Sequence, residues 1–436
     1  MKRNGERSQG AIMISNSSLR LRRAAGLGAV LALAGALTAG ANSIRVPNGG
    51  SPEGATKCAT GNPNTSRFSQ SCGAVVSLTS GDTTPAYVQD SSPSAESAYR
   101  VRLYVNLRTL QMADGGSFDL FAAYDGADPT PPTNSGNAVL RLAVGQSAGK
   151  KQLTAYARLN SGNESATATP IPLADGWRSI EVDWAKGTGT GHLALWVDGK
   201  PQTGLASLTN DAETINYSRW GAVAGLDPGM AGSFRLDDFA SQRSGYIGPA
   251  FPFADVASTD SFFPFIQGIY AAEVMPDCGV GAFCAGGAIT RKEMAKFLLL
   301  AKYGASYAPP ACTTPTFSDV PCSSPYAVWV NELSREGITG GCATGIFCPE
   351  GNITRAQMSV FLMVARGLPG VPCPPSTFND VPATSSFCPF IKQIAIQGIT
   401  AGCGNGNFCP DSLVLRGQMS VFLSTTFSIP THAVGP

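Results

Sequence analysis

Two hydrophobic periods divide this chain. Between Tyr99 and Phe239 apolar and polar residues alternate in short runs, at residues 99–107, 117–124, 138–144, 152–159, 177–184, 192–197 and 233–239. Asp114-Gly115-Gly116, Asp125-Gly126, Ser161-Gly162-Asn163 and Asp198-Gly199 supply turn chemistry between runs. Two more strands are expected at residues 74–78 and 86–89. Many short strands with no helices between them predict an all-β antiparallel sandwich. After Phe251 the period becomes helical. Tyr326, Trp329, Val330 and Leu333 share one stripe, with Ser323, Ser324 and Pro325 as the expected helix start and Gly337 as its stop. A glycine-rich loop carrying Cys342 and Cys348 follows. Thr354 and Gln357 then make a capping box, and Met358, Phe361, Leu362 and Ala365 form a second stripe that ends at Gly367 and Pro369.

This helix-loop-helix pattern occurs three times. Residues 337–362 read GITGGCATGIFCPEGNITRAQMSVFL, and residues 273–298 and 398–423 are degraded copies. A Phe-x-Asp-Val tetrad precedes each, at residues 253–256, 317–320 and 378–381. One interval separates Asp255 from Arg291, Asp319 from Arg355 and Asp380 from Arg416. A single helix pair cannot bury both of its apolar faces, so the three are expected to pack together as an all-α assembly.

The residues Phe317, Asp319, Val320, Trp329, Gly337-Ile338-Thr339-Gly340 and Ile353-Thr354-Arg355-Ala356-Gln357 resemble the S-layer homology family. The resemblance covers three copies, residues 251–308, 315–370 and 376–430. It implies a three-pronged helical assembly that binds cell-wall polysaccharide or peptidoglycan non-covalently in grooves between the prongs. It also implies that Arg291, Arg355 and Arg416 grip an acidic sugar polymer, with Thr290, Thr354, Glu293, Gln357 and Trp329 in the same wall-polymer site. Only the first copy keeps the motif's acid, Glu293; Gln357 and Gln418 stand in the others. The third has Leu415 at the cap and Gly417 after its arginine; the first has Met275-Pro276-Asp277 where the second has Thr339-Gly340-Gly341. The grooves are therefore expected to differ. With unpaired N–H groups at each helix start favouring an anion, better capping predicts that Arg355 holds polymer more tightly than Arg416. A structural role is the alternative: each arginine as neighbour of the cap, or paired with Asp255, Asp319 or Asp380. Likewise Trp329, Phe265 and Phe390 serve either as a sugar-stacking platform or as core residues beside Leu333, Ile269 and Ile394.

The alternating half, taken as residues 74–248, resembles a laminin-G-like or concanavalin A-like jelly roll. The residues that carry this are those of 176–184, 193–199, 220–225 and 235–239. Hydrolases of this class place two glutamates around an aspartate on one strand. Here Glu181 and Asp183 are followed by Lys186, so one carboxylate of the pair is missing. Both acids are expected on the solvent side of a strand whose Ile180, Val182 and Trp184 point inward. Asp237-Asp238 reads as a solvated strand end rather than a calcium site. His192 and His432 are the only histidines, and no phosphate-cradling loop occurs. No catalytic residue, metal or cofactor is expected, and the chain is read as no enzyme.

Composition then sets the compartment. The chain has 436 residues and a net charge of +1. Lys2, Arg3, Arg7, Arg20, Arg22 and Arg23 precede a small-residue apolar run at 24–41 that ends in Ala39-Gly40-Ala41, the pattern of a secretory signal peptide over residues 1–41. Its removal leaves a mildly acidic chain, which argues against nucleic acid as a partner. A loop-rich lead-in is expected over 42–73. The 12 cysteines all follow the leader. Their placement predicts local disulfides: Cys58–Cys72, Cys278–Cys284, Cys312–Cys322, Cys342–Cys348, Cys373–Cys388 and Cys403–Cys409. Zinc is the rival, and would need thiolates from two copies to meet. The expected function is attachment of an exported protein to the surface of the bacterial envelope, its wall or S-layer, displaying a sandwich that binds glycan or protein. A carbohydrate-active enzyme or lectin, and a structural S-layer subunit, are the alternatives.

Overall fold

The computed structural model describes residues 20–23, 43–45, 73–126, 138–279, 281–373 and 375–433. The chain divides into two compact units, Met1–Pro252 with Ala433–Pro436, and Phe253–His432. Most of the leader lies outside the described residues, as do Cys58 and Cys72 and most of the lead-in.

The first unit is all β. Its strands are β1 (Arg20–Arg23), β2 (Ser43–Arg45), β3 (Ala74–Leu78), β4 (Ala86–Asp90), β5 (Ala98–Asn106), β6 (Leu110–Gln111), β7 (Ser117–Tyr124) and β8 (Ala138–Ser147). They continue as β9 (Lys150–Arg158), β10 (Glu164–Ala166), β11 (Ile171–Pro172), β12 (Trp177–Ala185), β13 (Thr188–Val197), β14 (Lys200–Thr209), β15 (Tyr217–Ala224) and β16 (Ala231–Gln242). One antiparallel sheet runs β1-β4-β15-β7-β8-β9-β10, with β11 also on β9. The other runs β14-β13-β12-β5-β16-β3-β2, with β6 on β16. Val101, Leu103, Val105, Ile180, Val182 and Trp184 of the second sheet and Phe121, Leu140, Leu142, Val144 and Leu153 of the first share one apolar core. These are the inward positions that period-two alternation selects.

The other face of β5 and β12 is not the solvated face expected. Glu181 is 3% exposed. Its carboxylate accepts the N–H groups of Ile247 and Gly248, both at 2.9 Å, and lies 3.3 Å from Arg100 Nε. Arg102 donates to the Gly248 carbonyl and Tyr104 Oη accepts from Ala250 N, so the segment after β16 covers this face. Asp183 is half-buried between Arg100 and His192. A chain segment folded back over an alternating strand buries the polar half of the pattern, and ion pairs and backbone donors satisfy it. Of the expected acidic pair Asp237-Asp238, Asp238 is engaged by Arg102.

The second unit is a ring of helix pairs: α1 (Phe263–Ala271) with α2 (Arg291–Tyr303), α3 (Ala327–Arg335) with α4 (Arg355–Ala365), and α5 (Cys388–Ile396) with α6 (Arg416–Phe427). The second helix of each pair packs against the first helix of the next: α2 on α3, α4 on α5, α6 on α1. At the centre the backbone closes a three-membered cycle. Ile289 N donates to Val414 O, Ile353 N to Ile289 O and Val414 N to Ile353 O, at 3.0, 3.0 and 2.9 Å. All three side chains are fully buried.

Thr290 and Thr354 cap α2 and α4, and Glu293 and Gln357 close their capping boxes. At α6 half of the box survives: Gln418 Oε1 still accepts from Leu415 N, while a leucine side chain offers no acceptor in return. α3 begins two residues later than its sequence signal. Tyr326 holds the cap position without a side-chain bond, and Ser324 Oγ accepts from Tyr326 N in the turn before it. Gly417 answers to packing: a Cβ there would lie 2.9 Å from the Phe262 ring, so the third copy needs glycine where α6 meets α1. The five disulfides Cys278–Cys284, Cys312–Cys322, Cys342–Cys348, Cys373–Cys388 and Cys403–Cys409 are formed, which joins to one another the sulfurs a zinc site would use.

Candidate functional site

The three arginines singled out by the repeat each act on the next copy. Arg291 Nε donates to Phe347 O at 2.7 Å, Arg355 Nε to Phe408 O at 2.8 Å and Arg416 Nε to Phe283 O at 2.8 Å. Each guanidinium also lies 4.8 Å from the centroid of that phenylalanine ring. The aspartates hold the same phenylalanines from the other side. Asp319 Oδ1 accepts from Phe347 N and Oδ2 from Cys348 N; Asp380 does this for Phe408 and Cys409, and Asp255 for Phe283 and Cys284. The shared interval between aspartate and arginine therefore joins two different loops. The aspartate braces the loop of its own copy, and the arginine clamps the loop of the following one. No ion pair forms between these arginines and aspartates among the described residues.

Burial lowers the pKa of all three guanidinium groups, opposed by Asp319 at Arg291, by Asp380 at Arg355, and by Glu293, Asp277 and Asp255 at Arg416. The groups are 5, 5 and 7% exposed. Nη2 of Arg291 and Nη2 of Arg355 are buried and make no hydrogen bond among the described residues. Arg416 differs: its Nη2 donates to Pro276 O at 2.5 Å. Pro276 belongs to the stretch in which the first copy departs from the other two, so the chain itself supplies an oxygen at this junction.

The helix starts are not open anion sites. Arg291 N donates to Gly351 O and Lys292 N to Pro349 O; Arg355 and Ala356 do the same toward Ser412 and Pro410, and Arg416 and Gly417 toward Gly287 and Ala285. Nor is Arg416 held more loosely than Arg355, since it makes one hydrogen bond more. The premise for ranking the two by capping therefore does not hold.

Trp329, Phe265 and Phe390 are half-buried, whereas their stripe partners Leu333, Ile269 and Ile394 are buried. Trp329 and Phe390 pack against the edge of the core. Trp329 does not serve Arg355 of its own copy. It faces α2 of the first copy, with Lys296 Nζ 5.9 Å from its ring. Thr290, Thr354, Glu293 and Gln357 are spent on the capping boxes. The copy-to-copy pairing is what sequence reasoning missed; period alone does not say which helix faces which.

A model of the S-layer homology domain matches residues 316–359 and 377–420, within the second and third helix pairs. An endoglucanase of Bacillus sp. (strain KSM-635) is 29% identical over 182 residues, 40% of this chain and 19% of that protein. A cell surface protein of Thermoanaerobacter kivui is 33% identical over 117 residues, 26% and 15% of the two chains. The S-layer protein sap of Bacillus anthracis is 27% identical over 145 residues, 33% and 18%. The chain thus spans less than a fifth of the length of these curated relatives. Among solved structures, alginate lyase Aly36B covers 44% of this chain and 91% of its own at 15% identity, with a TM-score of 0.31, too low to speak to the fold. No helix among the described residues is long and apolar enough to cross a membrane. The C-terminal unit carries S-layer homology domains, and with its S-layer and cell-surface relatives this places the chain at the cell surface.

Proposed function

We propose that the C-terminal unit anchors the exported chain non-covalently to cell-wall polysaccharide or peptidoglycan, with residues 251–308 as a third S-layer homology repeat. One observation carries the reading: at two of the three junctions a buried arginine, Arg291 or Arg355, keeps a terminal nitrogen with no acceptor among the described residues. A buried cationic donor left unmatched is costly, and an acidic sugar oxygen would satisfy it. Arg416, already bonded to Pro276, contributes to the fold more than to the polymer. Thr290, Thr354, Glu293 and Gln357 act by fixing the helix starts that carry the arginines.

The first unit is then the displayed part, a laminin-G-like or concanavalin A-like jelly roll that binds glycan or protein. Glu181, which would be one of two catalytic carboxylates in a hydrolase, is committed to two backbone donors and Arg100, and this supports binding rather than catalysis. Cleavage of the leader after Ala41 belongs to the same reading; it also removes β1 from the edge of β4.

The test is extraction of whole cells. A non-covalent anchor predicts that a chaotrope at several molar, and not neutral high salt alone, releases the chain intact, with Asn42 as its first residue on N-terminal sequencing. Release only after wall hydrolysis, or residues 24–41 retained in a membrane fraction, contradicts it.

A further inference from the structure

A sheet that ends in an open strand offers a row of unpaired backbone groups, and folds blunt such edges with lysine, proline, bulges or short strands. Most edges of the β unit are treated in this way. β14 opens with Lys200 and Pro201, shifts register against β13, and holds Ser207 at a φ of 56°. β9 is covered by the short strands β10 and β11, the second ending in Pro172. β3 is covered by β2, a short strand that follows the leader. The edge at β4 is different. Its sequence, Ala-Tyr-Val-Gln-Asp, has no lysine, proline or glycine, and every residue is buried and paired with β15 without a register shift. Its cover is β1, which lies antiparallel on it with Arg20 opposite Gln89 and Arg23 opposite Ala86. β1 belongs to the leader. Once residues 1–41 are gone, β4 is the last strand of its sheet among the described residues.

We propose that cleavage of the leader uncovers β4 as a pairing edge for a second copy of this chain, and that exported chains associate two by two, β4 against β4. The proposal rests on the leader reading given above. β1 shows the direction, since the edge accepts an antiparallel strand. In that direction β4 is complementary to itself. With Val88 opposite its own counterpart, Tyr87 falls opposite Gln89 and Ala86 opposite Asp90. The one charge, Asp90, thus meets alanine, and no like charges face each other. That carboxylate is already held within its own copy by Ser92 N, Tyr99 Oη and Ser241 Oγ. Both faces of β4 are apolar. Ala86 and Val88 belong to the sandwich core, and Tyr87 to the cluster with Tyr124 and Tyr217 on the other face. Pairing therefore continues an apolar cluster across the joint on each face of the sheet. Pro85 and Pro93, which have no N–H to give, frame the window. So short a strand makes a small interface, and the pair is expected to be reversible. While the leader is attached, β1 occupies the edge and two copies cannot join there.

The experiment compares the purified chain beginning at Asn42 with the full chain that retains residues 1–41. Sedimentation equilibrium of the first is expected to show a reversible monomer–dimer. Hydrogen exchange at the amides of residues 86–90 should slow about tenfold over about a hundredfold rise in its concentration, while the amides of β14 do not change. In the full chain the β4 amides should be protected at every concentration. A cross-link reads the register. Directly opposed Cβ atoms lie about 4.5–5.5 Å apart, so Val88→Cys should give a covalent dimer on non-reducing gels in an oxidising glutathione buffer. Gln89→Cys, which faces Tyr87, should not. Thermal unfolding must match the unchanged chain in both variants, and the exchange measurement, which needs no variant, decides if it does not. A monomer at all concentrations overturns the pairing and leaves the cleavage and anchor readings standing. A dimer whose β4 amides stay in fast exchange, or one that cross-links equally through Gln89→Cys, overturns β4 as the joint. Fast exchange of β4 in the full chain overturns the leader as its cover. Residues 1–41 found on the exported chain by N-terminal sequencing overturn the cleavage reading itself.

Discussion

A chain ending at Gly370 should lose the cooperative unfolding of its helical unit rather than a third of it. The cut removes α5 and α6, and with them the α4–α5 and α6–α1 packings that close the ring. Ile289 N loses Val414 O, Ile353 O loses Val414 N, and Arg355 loses the Phe408 carbonyl and ring. Ile289 and Ile353, both fully buried, lie next to the gap left by Val414. Re-exposing a buried side chain of this size costs roughly 1.5–3 kcal/mol, and a few such exposures exhaust the roughly 5–15 kcal/mol by which a domain is stable. Open repeat arrays shorten gradually because each unit meets only its neighbours, but a closed ring has no dispensable end. The measurement is helical circular dichroism during thermal unfolding, with hydrogen exchange over the remaining α1–α4. The expected result is no cooperative transition and rapid exchange throughout. A sharp transition with two-thirds of the amplitude would show that the pairs are stable independently.

Arg355→Ala should destabilise the same unit by about 2–4 kcal/mol before any polymer is added. The substitution removes a charged donor from a buried carbonyl, Phe408 O, and removes the guanidinium from between Phe408 and Phe422. A buried acceptor left without its donor costs about 1–3 kcal/mol, and the lost cation–π contact adds about 0.5–2 kcal/mol. In a unit of this size each kcal/mol is worth roughly 2–4 °C in Tm. Arg355→Lys should restore little, because an ammonium cannot lie flat on the ring while donating sideways to the carbonyl. Arg416→Ala is expected to cost at least as much, given its additional bond to Pro276. A Tm within 2 °C of wild type for both alanine variants would show that the clamps do not hold the copies together. It follows that loss of wall binding in an Arg→Ala variant is informative only at temperatures where that variant is still folded.

Much of this architecture could be read from the sequence, and the failures share a cause. The capping boxes at Thr290 and Thr354 and the strands β5, β7 and β12 were legible because propensity, period and turn chemistry act within a few residues. β15 was harder to see as a strand. Seven of its eight residues are buried, so it shows no alternation. β14 is an edge strand, mostly exposed and shifted in register against β13, with no apolar face to reveal it. Glu181 read as solvated because the cover over its strand comes from residues 247–250, far along the chain. The candidate site was legible in its residue types only. The fixed interval between Asp319 and Arg355 records a repeat, but nothing local says that Arg291 and Asp319, from different copies, meet on Phe347. For the same reason nothing local to Trp329 says that the closure of the ring sets it beside Lys296 of the copy before.

The central claim is that the helical ring, and not the β unit, attaches the chain to the wall. The direct measurement is co-sedimentation with intact sacculi of the full chain and of a chain ending at Pro252, each shown to be folded by circular dichroism. The account predicts that the full chain sediments in a saturable way, is released by chaotrope, and that the shortened chain stays in solution. Sedimentation of the shortened chain to the same extent, or a full chain that stays in solution, would contradict it.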